Sequence, residues 1–258
     1  QRRAGLTTGM RLVFIHGGVH TGSCWDDTVS EITRLRPEVH TLAVDLPGRR
    51  RVDGDLSTLS IEQCVAAVVR QIDDSSHIST RDDPLMLIGH SLAGVVLPGV
   101  VERLGRERVS RVVFVACCVP PVGRSVVDTL PTVMRPVVRR IAARSPVIDR
   151  MPAALMRYAF GNHATATQRA RIREHVVPES SALITEPVRA RFPESVPRSW
   201  VLTTRDRALP VGRQRGFIRN VGGVDEVIPL DAAHEVMFTH PAELAATLVD
   251  VADRTVRA

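Results

Sequence analysis

One serine lies in the most specific short motif of the chain, the GHSLA pentapeptide at residues 89–93. The motif directly follows an apolar run at residues 85–88 and precedes a helix-like pattern. In this context a strained strand-to-helix turn exposes the serine hydroxyl, and small residues on both sides let the helix pack closely. Glycine is usual two residues after the serine, and Ala93 is small enough to replace it. The motif predicts that Ser91 is a nucleophile.

A serine hydroxyl needs a general base, which is itself oriented by a carboxylate. In a strand–turn–helix setting the partners follow in the order serine, acid, histidine, each just after a strand. Asp206 follows the run Trp200–Thr204, and His234 follows the run Glu226–Leu230. We therefore expect Asp206 to orient His234, and His234 to activate Ser91.

Three nearby residues compete for these roles and fit them less well. His240 stands just before Pro241 at a predicted helix start. Asp225 precedes its strand, so it belongs at the opposite end of the sheet. Asp231 is close to His234 in sequence, but we expect it to shape the loop.

A glycine-rich segment, HGGVHTG at residues 16–22, follows the first apolar run. Glycines allow backbone N–H groups to approach a ligand closely. We predict that the amides of Gly18 and Leu92 bind the negative oxygen that develops when a carbonyl is attacked. A dinucleotide-binding loop is the alternative, but the spacing departs from GxGxxG and no acidic ribose ligand follows.

Six short apolar runs lack polar alternation, which is typical of strands buried on both faces of a parallel sheet. They alternate with helical patterns, including capping boxes at residues 60–63 and 165–168, and this alternation predicts an α/β fold. Pro229 indicates that the last run forms an edge strand. The runs are Arg11–His16, His40–Asp45, Leu85–Gly89, Arg111–Cys117, Trp200–Thr204 and Glu226–Leu230.

The alternation stops between residues 120 and 196, where prolines separate short helical pieces and no strand pattern is visible. We interpret this segment as a helical cap inserted into a core formed by residues 10–119 and 197–258, with residues 1–9 as a loose terminus. The cap is expected to bound a substrate pocket, although each of its apolar side chains could instead hold the cap on the core. The proposed pocket residues are Gly17, His20, Val133, Met134, Leu155, Met156, Tyr158 and Phe160.

All 34 basic residues are arginine, and 13 of them lie between residues 121 and 198, against 6 acidic residues. The absence of lysine excludes a lysine Schiff base and a P-loop lysine. Aromatic residues make up only 3% and no nucleic-acid-binding motif is present, so we expect no nucleic acid partner. Arg135, Arg139 and Arg140 could form a surface for an acidic carrier protein presenting an acyl thioester, or simply a solvated face.

Four cysteines lack the spacing of a metal site or a disulfide framework, and no secretory signal or membrane-spanning segment is visible. We expect reduced cysteines in a cytoplasmic protein with no membrane partner, no metal and no organic cofactor.

These features together resemble the α/β-hydrolase superfamily over about residues 10–256. The stretches FIHGGVHTGSCW, AVDLPG, LIGHSLAG, TTRDRALPVGRQ and DAAHEVMFTHPAELA are similar to the small-capped branch of plant methylesterases and hydroxynitrile lyases, with bacterial relatives. The resemblance implies an α/β-hydrolase fold, with a mostly parallel sheet of about six strands, helices on both faces and an inserted cap. It also matches Ser91, Asp206 and His234 to the catalytic positions of that branch.

Two departures from the branch bear on the reaction. Its lyases carry threonine just after the first-loop histidine and lysine just after the catalytic one, where this chain has Gly17 and Glu235. Cyanohydrin cleavage is therefore disfavoured, and Glu235 is expected to be an ion-paired loop residue. We expect a serine hydrolase of carboxylic esters or thioesters. The alternatives are a non-hydrolytic lyase, dehydratase, cyclase or acyltransferase, and a ligand-binding receptor.

Overall fold

The computed structural model describes residues 10–75 and 84–257, so the expectation of a loose terminus at residues 1–9 lies outside the described residues. Six parallel strands form one sheet in the order β2-β1-β3-β4-β7-β8. The strands are β1 (Arg11–Ile15), β2 (His40–Val44), β3 (Leu85–His90), β4 (Val109–Val115), β7 (Arg198–Thr203) and β8 (Glu226–Leu230).

The burial of each strand explains the apolar runs in the sequence. Strands β1 and β3 lie inside the sheet and are buried along their whole length. Strands β2 and β8 are the two edges and are partly exposed. The predicted parallel sheet and the edge position of the strand with Pro229 are confirmed.

Helices cover both faces of the sheet and divide the core into two clusters. Along β1, Val13 and Ile15 pack on the side of α2 and α3, whereas Leu12 and Phe14 pack on the side of α1 and α10. The two predicted capping boxes are present at Ser60 and Thr165. The helices are α1 (Asp26–Leu35), α2 (Ile61–Asp74), α3 (Leu97–Leu104), α4 (Arg135–Arg144), α5 (Ala153–Leu155), α6 (Ala166–Glu174), α7 (Ala182–Thr185), α8 (Val211–Asn220), α9 (Val236–Thr239) and α10 (Pro241–Arg257).

The segment between β4 and β7 contains α4–α7 and a π-helix, Met156–Phe160. Contrary to the expectation of no strands there, β5 (Val147–Ile148) pairs antiparallel with β6 (Glu179–Ser180). Two residues are too few to produce a periodic sequence pattern, which explains the error. The boundaries of the cap at residues 120–196 stay a prediction.

In the described parts of the chain, no helix has both the length and the apolar character needed to cross a bilayer.

Gly94 allows the turn after Ser91 to approach the segment that follows β4. A methyl group on Gly94 would lie 2.2 Å from the carbonyl oxygen of Cys118. The Cys118 amide donates a 2.8 Å hydrogen bond to the Ser91 carbonyl, which joins the same two segments. Close packing at this point thus fixes the position of the serine turn.

We expect Gly94→Ala to lower the free energy of unfolding by about 1–3 kcal/mol, because backbone must move to accept the methyl group. Chemical denaturation measures the change. Gly212→Ala is the matched control, since an added methyl group there meets no atom within 4 Å and helix α8 favours alanine. Equal destabilisation by the two substitutions would contradict the steric explanation.

Candidate active site

Ser91 lies at the sharp turn between β3 and the short 3₁₀ helix Ser91–Val95. Its φ of 50° is in the left-handed region, which is sparsely populated by residues other than glycine. Gly89 makes the turn possible, because a methyl group there would lie 2.6 Å from the Leu97 side chain. The turn therefore presents the hydroxyl at the carboxyl end of the central strand.

The three predicted side chains come together at this edge of the sheet. His234 Nε2 lies 3.0 Å from Ser91 Oγ, and His234 Nδ1 lies 2.7 Å from Asp206 Oδ2. Asp206 is itself held by the Thr203 hydroxyl at 3.0 Å and the Leu209 amide at 2.7 Å. A continuous chain of hydrogen bonds thus connects the carboxylate to the serine hydroxyl.

The protonation of His234 follows from its surroundings. The Asp206 carboxylate accepts the proton on Nδ1, so a neutral imidazole keeps Nε2 free to accept the Ser91 proton. Burial by itself lowers the pKa of His234, but the charge and hydrogen bond of Asp206, with the charge of Glu235, outweigh it and raise the pKa above 6.5. The ring is therefore a stronger base than an ordinary imidazole.

His90 supports this arrangement from the position before the serine. Its Nε2–H donates a 3.0 Å hydrogen bond to the His234 carbonyl. Burial lowers its pKa to about 3, so the ring is neutral and Nδ1 carries no proton. Gly17 packs on this ring, since a methyl group there would lie 2.9 Å from His90 Nδ1 and 3.0 Å from Ser91 Cβ. Sequence reasoning missed His90, although its position inside the serine motif was an available signal.

A second buried histidine–carboxylate pair lies beside the first. His20 Nε2 is 3.1 Å from Glu235 Oε2, and both side chains are almost completely buried. Despite its burial, Glu235 has a pKa lowered to about 2 by His20, and Glu235 in turn raises the pKa of His20 above 6.5. Each residue holds the other in its charged form, as expected for an ion-paired Glu235.

The two amides predicted to bind an oxyanion belong to neighbouring residues. A methyl group on Gly18 would lie 3.1 Å from Leu92 Cδ2, so the glycine-rich loop packs against the residue after the serine. Neither amide donates a hydrogen bond to any residue in the described ranges. Both N–H groups thus remain available for a ligand atom.

Comparison with known proteins agrees with this fold. The model of the alpha/beta hydrolase family matches residues 12–247. The chain belongs to this family. It is 23% identical to methylesterase 7 of Arabidopsis thaliana, over 95% of this chain and 96% of that protein. It is 24% identical to a carbendazim hydrolyzing esterase of Nocardioides sp., over 92% and 97%.

A solved structure supports the same assignment of fold. An extracellular alpha/beta-hydrolase from a Paenibacillus species, described as homologous to tobacco salicylic acid binding protein 2, superposes with a TM-score of 0.79. That alignment has 24% identity and covers 93% of this chain and 98% of the other. The predicted α/β-hydrolase fold is confirmed.

In this α/β-hydrolase the segment before α7 holds the glycine-rich loop in place. Val19 has a φ of 58°, which is strained for a β-branched residue. Its amide donates a 3.0 Å hydrogen bond to Glu179 Oε2, and its carbonyl accepts one of 2.8 Å from the Val177 amide. Glu179 also forms a buried 2.5 Å ion pair with Arg49. Sequence reasoning missed both ion-pair partners because 130 residues separate them.

The predicted pocket residues divide into two groups. Phe160 meets the His234 ring edge-on at 5.2 Å, and Met156 is buried in the core cluster on the same side of the sheet. Met134 and Tyr158 instead face solvent, at 47% and 64% exposure, with the Arg207 guanidinium over the Tyr158 ring. Their place in a pocket stays a prediction, because hydrophobicity alone does not show which side of a short helix faces inward. Val133 and Leu155 are exposed as well.

The competing acids and histidines have other partners. Asp231 is paired with Arg205 on the surface, and Asp225 accepts a hydrogen bond from the Arg198 amide at 2.7 Å. His240 Nδ1 lies 2.9 Å from the Thr239 hydroxyl.

Among residues 10–75 and 84–257, no cluster of residues suited to a metal ion is found.

All four cysteines are buried free thiols, as expected. Burial raises the pKa of Cys64 and of Cys118 to about 12, and it raises the pKa of Cys24 and Cys117 as well. Thiols in this state are protonated and are poor nucleophiles. The cytoplasmic location stays a prediction.

The Arg49–Glu179 pair is expected to matter for stability. Glu179→Ala leaves a buried guanidinium without its counter-charge and should lower the free energy of unfolding by about 3–5 kcal/mol. Glu179→Gln should cost less, since its carbonyl oxygen can still accept the Val19 N–H. Chemical denaturation measures both. Asp73→Ala is the control, because it breaks an exposed pair with Arg108 worth less than about 1 kcal/mol. A cost for Glu179→Ala no larger than the control's would refute the assignment.

Proposed function

We propose that the chain is a serine hydrolase that cleaves a carboxylic ester or thioester through Ser91, His234 and Asp206. The observation that carries the proposal is the chain of hydrogen bonds, 3.0 Å from serine to imidazole and 2.7 Å from imidazole to carboxylate. Both distances lie within the range needed for proton transfer between a nucleophile and its base. The esterase names of the full-length relatives support the same class of reaction.

The acylation step uses each group once. The Ser91 oxygen attacks the carbonyl carbon while its proton moves to His234 Nε2, and the resulting imidazolium is stabilised by Asp206. The amides of Gly18 and Leu92 donate hydrogen bonds to the negatively charged oxygen. The imidazolium then gives its proton to the leaving alcohol or thiol, and the acyl group stays on Ser91.

Deacylation repeats the step with water in place of Ser91. Neutral His234 removes a proton from a water molecule as the water attacks the acyl carbonyl, and the tetrahedral intermediate collapses to release the acid. The proton then returns to the Ser91 oxygen. The cycle needs no group other than water beyond the residues already named.

Two features of the site favour hydrolysis over cyanohydrin cleavage. Threonine in place of Gly17 would clash with His90 and Ser91, because even a methyl group comes within 3.0 Å of both. Glu235 is occupied by His20 and carries a negative charge where the lyases of the resembling branch carry a lysine. Glu235 therefore supplies no positive charge, as a lysine would, to stabilise a leaving anion.

Labelling with a fluorophosphonate tests the proposal directly. Wild-type protein should be labelled at Ser91, mapped by mass spectrometry, and should show a burst of p-nitrophenol with p-nitrophenyl acetate. Ser91→Ala should abolish labelling and lower turnover by at least about 10³-fold. Ser57→Ala removes an exposed hydroxyl and should change neither. Absence of an acyl adduct on the wild-type protein would favour a non-hydrolytic reaction.

The pH dependence of kcat/KM tests the role of His234. The base must be neutral, so kcat/KM should fall as pH decreases through a raised His234 pKa, above the ordinary value of 6.5. Glu235→Gln removes one of the negative charges that raise this pKa and should move the acid limb to lower pH. Asp231→Asn removes an exposed charge from the same loop and should leave the limb in place. A limb that Glu235→Gln does not move would contradict this electrostatic coupling.

A further inference from the structure

The positive charge between β4 and β7 is not evenly distributed. Arg139 is paired with Asp128 at 2.7 Å, and Arg135 donates to the Leu130 carbonyl at 2.8 Å. Arg171 is paired with Asp27. The surface that we expected around Arg135, Arg139 and Arg140 is therefore partly neutralised by its own neighbours.

Three other arginines surround a groove between the π-helix and α6. The groove has a volume of about 620 Å³ and lies between Arg157 on one side and Arg169 and Arg173 on the other. Met156 and Ile172, both in the core cluster, form part of its apolar lining. The remaining lining residues are small: Ala153, Ala154, Gly161 and Ala166.

The groove contains no charge that compensates these arginines. Its lining has no acidic residue, and none of the three guanidiniums forms an ion pair with a carboxylate in the parts of the chain that the structure describes. Arg169 donates to the Ala164 carbonyl, which holds its side chain along the groove. The side chains of Arg157 and Arg173 form no hydrogen bond with any residue in the described ranges. Three like charges at one groove create a field that favours an anion.

The shape and chemistry of the groove indicate which anion it would take. Guanidinium groups bind carboxylates and phosphates through two parallel hydrogen bonds. A volume of about 620 Å³ is within the range of sites for drug-sized ligands and is far larger than a single small anion requires. The apolar lining calls for hydrocarbon next to the charge. A carboxylate or phosphate attached to an apolar body meets all three conditions.

The groove shares a helix with the serine site. The π-helix Met156–Phe160 contributes Arg157 and Met156 to the groove, while Phe160 meets the His234 ring at 5.2 Å. Gly161, the residue after Phe160, also lines the groove, so the groove and the His234 ring contact neighbouring residues of one helical turn. A substrate that reacts at Ser91 and occupies the groove as well would extend past Phe160.

We propose that this groove binds the anionic end of the substrate, so that the preferred ester or thioester carries a carboxylate or phosphate remote from its reacting carbonyl. This inference rests on the proposed hydrolase function and specifies its substrate class. Two kinds of substrate meet this description: a dicarboxylic half-ester carries the charge on its acyl side, and a coenzyme A thioester carries it on the leaving group.

Matched substrates test the proposal and distinguish these two sources. Mono-p-nitrophenyl suberate is compared with p-nitrophenyl octanoate, which has a methyl group in place of the terminal carboxylate. Octanoyl-coenzyme A is compared with its neutral N-acetylcysteamine analogue. We expect at least one anionic member to exceed its neutral partner in kcat/KM by about tenfold or more, and the advantage to shrink as salt is added.

The double variant Arg157→Gln/Arg173→Gln removes two groove charges and leaves the structural Arg169 in place. It should raise KM for the preferred anionic substrate by about tenfold. Its kcat for that substrate, and its kcat/KM for the neutral substrate, should change by less than about twofold. The control Arg140→Gln/Arg144→Gln removes the same charge from exposed positions on α4. Its KM and kcat should stay within about twofold of the wild-type values for all substrates. Equal rates for both members of each pair, or equal losses in the two doubles, would overturn the proposal.

A binding measurement separates this proposal from the hydrolase function. Isothermal titration calorimetry on Ser91→Ala uses octyl phosphate and octanoate, with octanol as the neutral probe. Binding of an anion that the groove double variant weakens supports the groove even if no ester is cleaved. Ester cleavage by the wild-type protein without any such binding refutes the groove and leaves the hydrolase function standing.

Discussion

The hydrogen bond between His234 and Asp206 is the interaction on which the rest of the site depends. A buried imidazole can take a proton from Ser91 only if its other nitrogen is held by a fixed acceptor, because otherwise the ring can rotate or adopt the wrong tautomer. His234 Nδ1 lies 2.7 Å from the Asp206 carboxylate, which is itself fixed by Thr203 and Leu209. The ring can therefore neither rotate nor change its tautomer. The parallel sheet makes this possible, because three of its strands end at the same edge. Ser91, Asp206 and His234 each follow one of these strands.

Burial determines which of the surrounding groups carry charge. His16 and His90 are buried without a carboxylate partner and have pKa values of about 3, so both rings are neutral. His20 and Arg49 each have a carboxylate in contact, and these pairs are charged although they are buried. The His90 ring next to His234 is thus neutral, and the negative charges that act on His234 are those of Asp206 and Glu235. Such preorganisation lets an oxyanion be stabilised without rearranging the site.

The sequence was sufficient to predict the fold and the convergence of Ser91, Asp206 and His234, because each lies within a few residues of the end of a short apolar strand. It was insufficient for contacts between distant segments. The Arg49–Glu179 pair has no local signal, and the bond from His90 to the His234 carbonyl depends on how two loops meet. It also did not show that Met134 and Tyr158 are exposed, since the packing of short, proline-separated helices is decided by tertiary contacts.

The inserted segment is therefore not a separate module placed over a finished active site. Through Val177 and Glu179 it binds both polar backbone groups of Val19, a strained residue next to the amide proposed to stabilise the oxyanion. Through Phe160 it contacts the His234 ring, and through Arg157 it lines the basic groove. A change in this segment that alters substrate choice can thus also disturb the reacting geometry. Sequence changes at residues 177–179 should therefore be opposed, because the backbone of the glycine-rich loop would lose its partners.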